Sequence, residues 1–156
     1  MDIFDRKLLV LVQRDNRLTN EQLGRRVGLS PAACHRRLKR LAENGVIERN
    51  VSLVSAAAVG RHVTLIVHVT LERERADLFD AFKDSMRDAP EVTQCYYVTG
   101  TTDFVLILNA RNMQDYEAFT RRHFYDNPNI QRFQTDVVMD TVKFTTEMPI
   151  ATPDEA

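Results

Sequence analysis

Tryptophan is absent from the 156-residue chain, and cysteine occurs only twice, at Cys34 and Cys95. Two thiols so far apart, neither in a Cys-x-x-Cys pair, argue against a disulfide framework and against a thiolate metal site. They suit a reducing compartment, read here as cytoplasm. No apolar run approaches the roughly 20 residues that span a bilayer, so no membrane partner is expected. Met1–Asp5 carries two acids and no basic stretch, and is not expected to act as a secretory signal. A Gly-rich phosphate loop, a Ser/His/Asp signature and paired metal-ligand spacing are all missing. His62 and His68 share one strand face, but six residues separate them by about 20 Å, too far to hold one ion within a chain. No catalytic residue, cofactor or metal is therefore expected.

What is present is ordinary for a globular protein, with 44% hydrophobic and 28% charged residues. The net charge of -1 hides an asymmetry: residues 1–52 carry 11 Lys/Arg against 6 Asp/Glu, and residues 53–156 carry 10 against 16. A basic head on an acidic body points to a polyanion that meets one end of the molecule only.

The first 45 residues read as three helices. Asp2 caps the first, whose apolar stripe is Ile3, Phe4, Leu8, Leu11 and Val12, ending near Asp15. Thr19 caps the second, which carries Leu23 and Val27 and breaks at Gly28. Ser30-Pro31 opens the third, because serine satisfies an orphan amide and proline at the first helical position loses nothing. It runs to Glu43 and stops at Asn44-Gly45. Val46–Leu53 reads as a small β-hairpin or wing, and residues 54–61 as a linker. From His62 the apolar period changes to two. Strands are expected at Val63–Leu71, Val92–Val98, Phe104–Asn109 and within Ile130–Phe144, the last centred on Val137-Val138-Met139. Helices are expected at Arg75–Arg87 and Asn112–Tyr125. The fold class is α+β: an N-terminal winged helix-turn-helix (1–53), the linker (54–61), a βαββαβ ferredoxin-like αβ-sandwich (62–150) and a tail (151–156). Val105 and Ile107 alternate with Phe104, Leu106 and Leu108, and Val138 and Val142 with Val137 and Met139. Both sheet faces then look apolar while two helices cover one, so a second copy of the chain is expected on the other.

Asn20–Leu41 has helix-turn-helix spacing. Gly24 lets the helices cross closely, with Leu23, Val27, Leu29, Cys34, Leu38 and Leu41 as the shared core. At 100° per residue the face opposite Cys34 presents Ala32, Arg36, Lys39 and Glu43, flanked by His35, Ala33 and Arg40. Small residues allow close approach to a major groove, arginine can pair two-pronged with guanine, and cations meet phosphates. The candidate DNA contacts are Ser30, Ala32, Ala33, His35, Arg36, Arg37, Lys39 and Arg40. A solvated basic face on a plain helical bundle is the competing reading. Cys34 and Cys95 are expected to be core thiols.

Asp5–Leu9, Arg17–Leu23, Val27–Leu41 and Glu43–Ile47 resemble regulators of the Lrp/AsnC (feast/famine) family. Val98–Phe104 and Val137–Lys143 resemble the same family's ligand-sensing domain. The resemblance runs from Met1 to about Ile150. It implies a homodimer through the C-terminal domains, often assembled to tetramers or octamers on double-stranded DNA. It also implies an amino acid or similar small effector bound near the Gly-x-x-Asp turn. On that basis Gly100, Thr101, Thr102 and Asp103 are candidate effector contacts: glycine permits close backbone approach, and the carboxylate can hold an ammonium group. Thr135 is added from a family position near the ligand. Thr101 and Thr102 stand where the family often has acidic or aromatic residues, so leucine does not follow as the effector. The residues alone also allow a plain hairpin turn. The function expected is a DNA-binding transcription regulator that answers to a small effector. A ligand-independent architectural DNA-binding protein and an enzyme resembling sirohaem decarboxylases are the alternatives, the latter disfavoured by the acidic body.

Overall fold

The computed structural model describes residues 1–73 and 75–151. It divides into two compact units, Met1–Leu53 together with 143–151, and Val54–Val142.

The first unit is built on α1 (Ile3–Arg14), α2 (Asn20–Val27) and α3 (Pro31–Glu43). Each start is fixed locally. Asp2 accepts from the Asp5 amide while the Asp5 carboxylate accepts from the Asp2 amide, and Thr19 and Gln22 form the same reciprocal pair. Ser30 accepts from the Ala33 amide ahead of Pro31. Gly28 ends α2 in the left-handed region at φ 75°. Leu8, Leu23, Val27 and Cys34 form the buried centre, with Leu11, Val12, Leu18, Leu29 and Leu38 packed around it.

The hairpin expected over Val46–Leu53 does not form within the chain, where residues 48–55 carry no regular structure. Gly45, at φ 69°, turns the backbone so that the Val46 and Ile47 amides both close on the Leu41 carbonyl, at 2.8 and 3.2 Å. Too few residues remain for two strands that could hold one another, since an isolated short hairpin is marginal in water.

The second unit is the expected βαββαβ arrangement. Its elements are β1 (Val63–Leu71), α4 (Ala76–Asp88), β2 (Val92–Tyr97), β3 (Phe104–Ala110), α5 (Met113–Thr120) and β4 (Ile130–Val137), in one antiparallel sheet ordered β2-β3-β1-β4. Between α5 and β4 the helix widens into a π-helical turn, Arg121–Tyr125. Alternation sets the core: Leu65, Val67, Val69 and Leu71 of β1 and Phe104, Leu106 and Leu108 of β3 lie under Phe79, Phe82, Met86, Phe119 and Phe124 of the helical layer.

β4 ends at Val137 rather than centring on Val137–Met139. The reason lies in the register: Leu65 pairs with Val137, one further bond joins the Val138 amide to the Thr64 carbonyl, and β1 extends only one residue beyond that, to Val63. Val142 is consequently not a sheet residue. The face away from the helices is less apolar than expected. Ile66 and Ile107 are paired at its centre with Val105 and Tyr96 beside them. Thr64, His68, Thr70, Asn109, Gln94, Arg132, Gln134 and Asp136 occupy the rest of that face. Cys34 is a core thiol, whereas Cys95, on edge strand β2, is exposed.

Residues 143–150, expected with the second unit, run with the first. Gln13 and Met148 exchange hydrogen bonds, the Arg14 side chain meets Glu147 at 3.1 Å, and Arg6 donates to the Ala151 carbonyl. Residues 152–156 of the expected tail lie outside the described residues.

Candidate nucleic-acid interface and ligand turn

The caps of α2 and α3 fix how the turn between them is drawn. The Gly24 carbonyl accepts from both the Gly28 and Leu29 amides, at 2.9 and 3.0 Å. Any Cβ at Gly24 would sit 2.4 Å from the Leu29 carbonyl oxygen, so only glycine fits the crossing. This geometry buries Cys34 and Leu41 on the inner side of α3 and leaves Ala32, His35, Arg36, Lys39 and Arg40 exposed on the outer side. Ser30, at the helix start, is exposed while its hydroxyl caps. Ala33 is half-buried. Among the described residues Arg36 has no hydrogen-bond or ion-pair partner. Lys39 meets Glu43 at 3.7 Å along the helix, a solvent-exposed pair of small worth.

Arg37 stands apart from the other candidates. Its Nη1 donates to Asp2 at 2.6 Å and to Asp5 at 2.8 Å, and its guanidinium lies 5.5 Å from the centre of the Phe4 ring. Arg40 donates to the other Asp5 oxygen at 2.8 Å but stays half-exposed. Asp5 is 1% exposed, and the two arginines with the Asp2 amide satisfy both its oxygens. Burial alone would raise its pKa. The hydrogen bonds from Arg37 and the Asp2 amide outweigh that, and the carboxyl ends below its ordinary value. Arg37 is therefore a clamp between α1 and α3. The sequence reading missed it, although an acid three residues after an aspartate cap was a visible signal.

In the second unit, Gly100, Thr101, Thr102 and Asp103 form the turn between β2 and β3. Gly100 has φ 136° and is exposed. The Asp103 amide donates to the Val69 carbonyl at 3.0 Å, and the Thr102 hydroxyl donates to the same carbonyl at 2.7 Å. One Asp103 oxygen accepts from the Leu71 amide at 2.7 Å, which extends the β1 ladder by a side chain. Arg132 of β4 reaches the Thr101 carbonyl at 3.4 Å. Thr135 is not joined to this group: its hydroxyl is hydrogen-bonded to Tyr116 of α5, beneath the helical layer. Asp103 thus has a structural task, met by one of its two carboxylate oxygens. Asp103→Asn should keep the fold and remove the charge, while Asp103→Ala should cost about 1 kcal/mol through the orphaned Leu71 amide. Chemical denaturation of both variants checks the order.

The pattern of the winged helix-turn-helix DNA-binding family matches residues 1–48, and that of the Lrp/AsnC ligand binding domain matches residues 64–148. An uncharacterized HTH-type transcriptional regulator of Sinorhizobium fredii is 59% identical over 150 residues, which is 96% of this chain and 89% of that protein. The leucine-responsive regulatory protein of Escherichia coli K12 is 30% identical over 152 residues, covering 97% and 93%. A transcriptional regulator of Neisseria meningitidis, solved in complex with L-methionine, superposes with a TM-score of 0.91 at 33% identity, covering 96% of both chains.

Proposed function

Because the chain belongs to the Lrp/AsnC family of transcription regulators, we propose that it binds specific double-stranded DNA sites through α3 and changes that binding when an amino acid occupies its second unit. The observation that carries the first half is the outward row of α3, where small Ala32 precedes exposed Lys39 and an Arg36 that is unpartnered among the described residues. Arg36 reads guanine, and Lys39, Arg40 and Ser30 meet phosphates, with His35, Ala32 and Ala33 against the groove wall. Arg37 takes no part in the readout. Arg36→Ala is expected to weaken specific binding by roughly 1–3 kcal/mol and to relax one position of the preferred sequence. Lys39→Ala should weaken all sequences alike and lower the salt slope by about one. Titrations of selected and scrambled duplexes over a salt series separate the two. Unchanged affinity and selectivity in both variants would remove α3 from the interface.

Gly100–Asp103 is the proposed effector turn. The free Asp103 oxygen accepts from the ammonium group, and the Gly100 and Thr101 amides, unpaired among the described residues, face the carboxylate. The methionine complex of the Neisseria relative supports an amino acid as the class of ligand. A cytoplasmic regulator without catalysis is the consistent setting; no helix among the described residues is long and apolar enough to cross a membrane.

The functional unit is a homodimer, with tetramers or octamers built from it, joined over the sheet face that carries Ile66, Val105, Ile107 and Tyr96. The full chain should sediment as a dimer or larger at micromolar concentration. Ile107→Glu should shift it toward monomer, since a charge on a buried apolar stripe has no partner there. A wild-type monomer would contradict this assembly.

A further inference from the structure

One charged side chain on the open face of the sheet takes a course that its own strand does not explain. Arg132 lies on edge strand β4, opposite Thr70 of β1. Its side chain crosses β1 to reach the turn between β2 and β3. Nε lies 3.5 Å from the Thr70 hydroxyl, and Nη2 lies 3.4 Å from the Thr101 carbonyl. Both contacts are longer than the usual span of about 2.7–3.2 Å. An exposed arginine held by two such weak bonds gains little for the freedom it gives up. Nη1 has no partner among the described residues.

The turn that Arg132 reaches supplies the opposite charge. Asp103 is the one acid in Val98–Phe104. One of its oxygens accepts from the Leu71 amide, and the other has no partner among the described residues. That second oxygen is open to solvent, because among the described residues only Glu91 Oε2 is a fully buried side-chain oxygen without a partner. Guanidinium and carboxylate therefore meet the same turn without forming an ion pair with one another. The side chains of Thr101 and Thr102 add no charge. Two neighbouring charges of opposite sign, both accessible and neither neutralised by the other, fit a guest that carries both signs itself.

We propose that Arg132 is the carboxylate-binding residue of the effector turn. The site then takes a whole α-amino-acid zwitterion, with its ammonium group at Asp103 and its carboxylate at Arg132, beside the Gly100 and Thr101 amides. The inference rests on the effector turn proposed above and adds a requirement to it, a free α-carboxylate. A guanidinium presents parallel N–H groups that match both oxygens of a carboxylate, and a carboxamide cannot reproduce that pairing. Amines and amino-acid amides are thereby excluded as effectors.

The test uses the full chain, with the common L-amino acids applied singly at millimolar concentration and binding measured by calorimetry. The amino acid that binds most tightly is then compared with its own α-carboxamide. Arg132→Gln should weaken the amino acid at least about tenfold, the loss expected for a charge-assisted hydrogen bond. Arg132→Lys keeps the charge without the fork and should fall between wild type and Arg132→Gln. The carboxamide should bind the wild type at least about tenfold more weakly than the acid, and Arg132→Gln should weaken it no further. That last comparison separates contact with the carboxylate from a merely structural role, which would weaken acid and amide alike. Circular dichroism checks that the variants are folded. Should Arg132→Gln not fold, Arg132→Lys and the carboxamide still decide. The proposal is overturned if Arg132→Gln leaves the amino acid's affinity unchanged, or lowers both affinities by the same factor. Binding lost in Asp103→Asn but kept in Arg132→Gln would leave the effector turn standing and refute the role of Arg132. If no amino acid binds the wild type, both fall.

Discussion

Arg37→Ala is expected to destabilise the first unit by about 2–3 kcal/mol while leaving the DNA affinity of the folded protein close to wild type. Removing one partner of a buried ion pair costs about 3–5 kcal/mol, because the remaining charge stays desolvated. Here the partner left behind is Asp5, 1% exposed. The discount reflects the quarter exposure of Arg37 and the second cation, Arg40, which keeps one Asp5 oxygen satisfied. The effect should also depend on pH, with a definite sign. Asp5 and Asp2 are both held below their ordinary values. For Asp5 the Arg37 and Asp2-amide bonds overcome burial, and for Asp2 the Asp5 amide leads and Arg37 follows. A carboxyl with a depressed folded pKa stabilises the fold above its unfolded value of about 3.9, and that stabilisation disappears as pH falls through the folded value. The gap between wild type and Arg37→Ala should therefore be full at pH 7 and shrink below about pH 4. Denaturant melts across that range measure it. A constant gap would mean that the clamp acts through its contact with Phe4 and not through charge.

Gly24→Ala is expected to disable the helix-turn-helix as a unit. Alanine is ordinarily the better helix former by about 1 kcal/mol, so a substitution judged by propensity alone would stabilise α2. The added Cβ would instead lie 2.4 Å from the Leu29 carbonyl oxygen, 3.5 Å from its carbon and 3.6 Å from the Pro31 nitrogen. All three are backbone atoms, and no rotamer relieves the clash. The turn must open, and the two amides that close on the Gly24 carbonyl are strained with it. A net loss of roughly 2 kcal/mol or more follows, since overpacking alone costs about 1–3 kcal/mol. DNA affinity should fall as well, because α3 is aimed by this turn. Gly28→Ala is the control. Gly28 has φ 75° but nothing within 4 Å of an added Cβ, so only backbone strain of about 1–2 kcal/mol applies. Calorimetry should show the larger shift for Gly24→Ala, confined to the transition of the first unit.

What the sequence made legible was local. Asp2, Thr19, Ser30-Pro31 and Gly28 announce helix ends because each acts on backbone groups within four residues. The period-two runs of β1 and β3 marked the buried faces correctly. The outer row of α3 followed from 100° per residue, and Ala32, Arg36 and Lys39 are exposed as that geometry requires. What was missed depended on pairs distant in the chain. Arg37 has the composition of a DNA contact, and only the packing of α3 on α1, 32 and 35 residues away, reassigns it to Asp5 and Asp2. Val137–Met139 has strand character, yet a strand also needs a neighbour, and β1 begins at Val63, one residue beyond Thr64. The Tyr116 hydroxyl that meets Thr135, 19 residues away, likewise has no sequence signal. The Glu91–Arg122 and Ser85–His123 pairs, 31 and 38 residues apart, leave no trace at any fixed spacing.

The property that defines this protein as a sensor is an amino acid's effect on sequence-specific binding through α3. The most direct measurement is a fluorescence anisotropy titration of the full chain, at physiological salt, on duplexes selected from a random pool and on scrambled versions of them. Each titration is run with and without L-methionine and the other amino acids. The expected result is a preference of at least about a thousandfold for the selected duplex, lost in large part in Arg36→Ala, with at least one amino acid shifting the selected-site curve. Equal affinity for selected and scrambled duplexes, or curves that no amino acid moves, would contradict it.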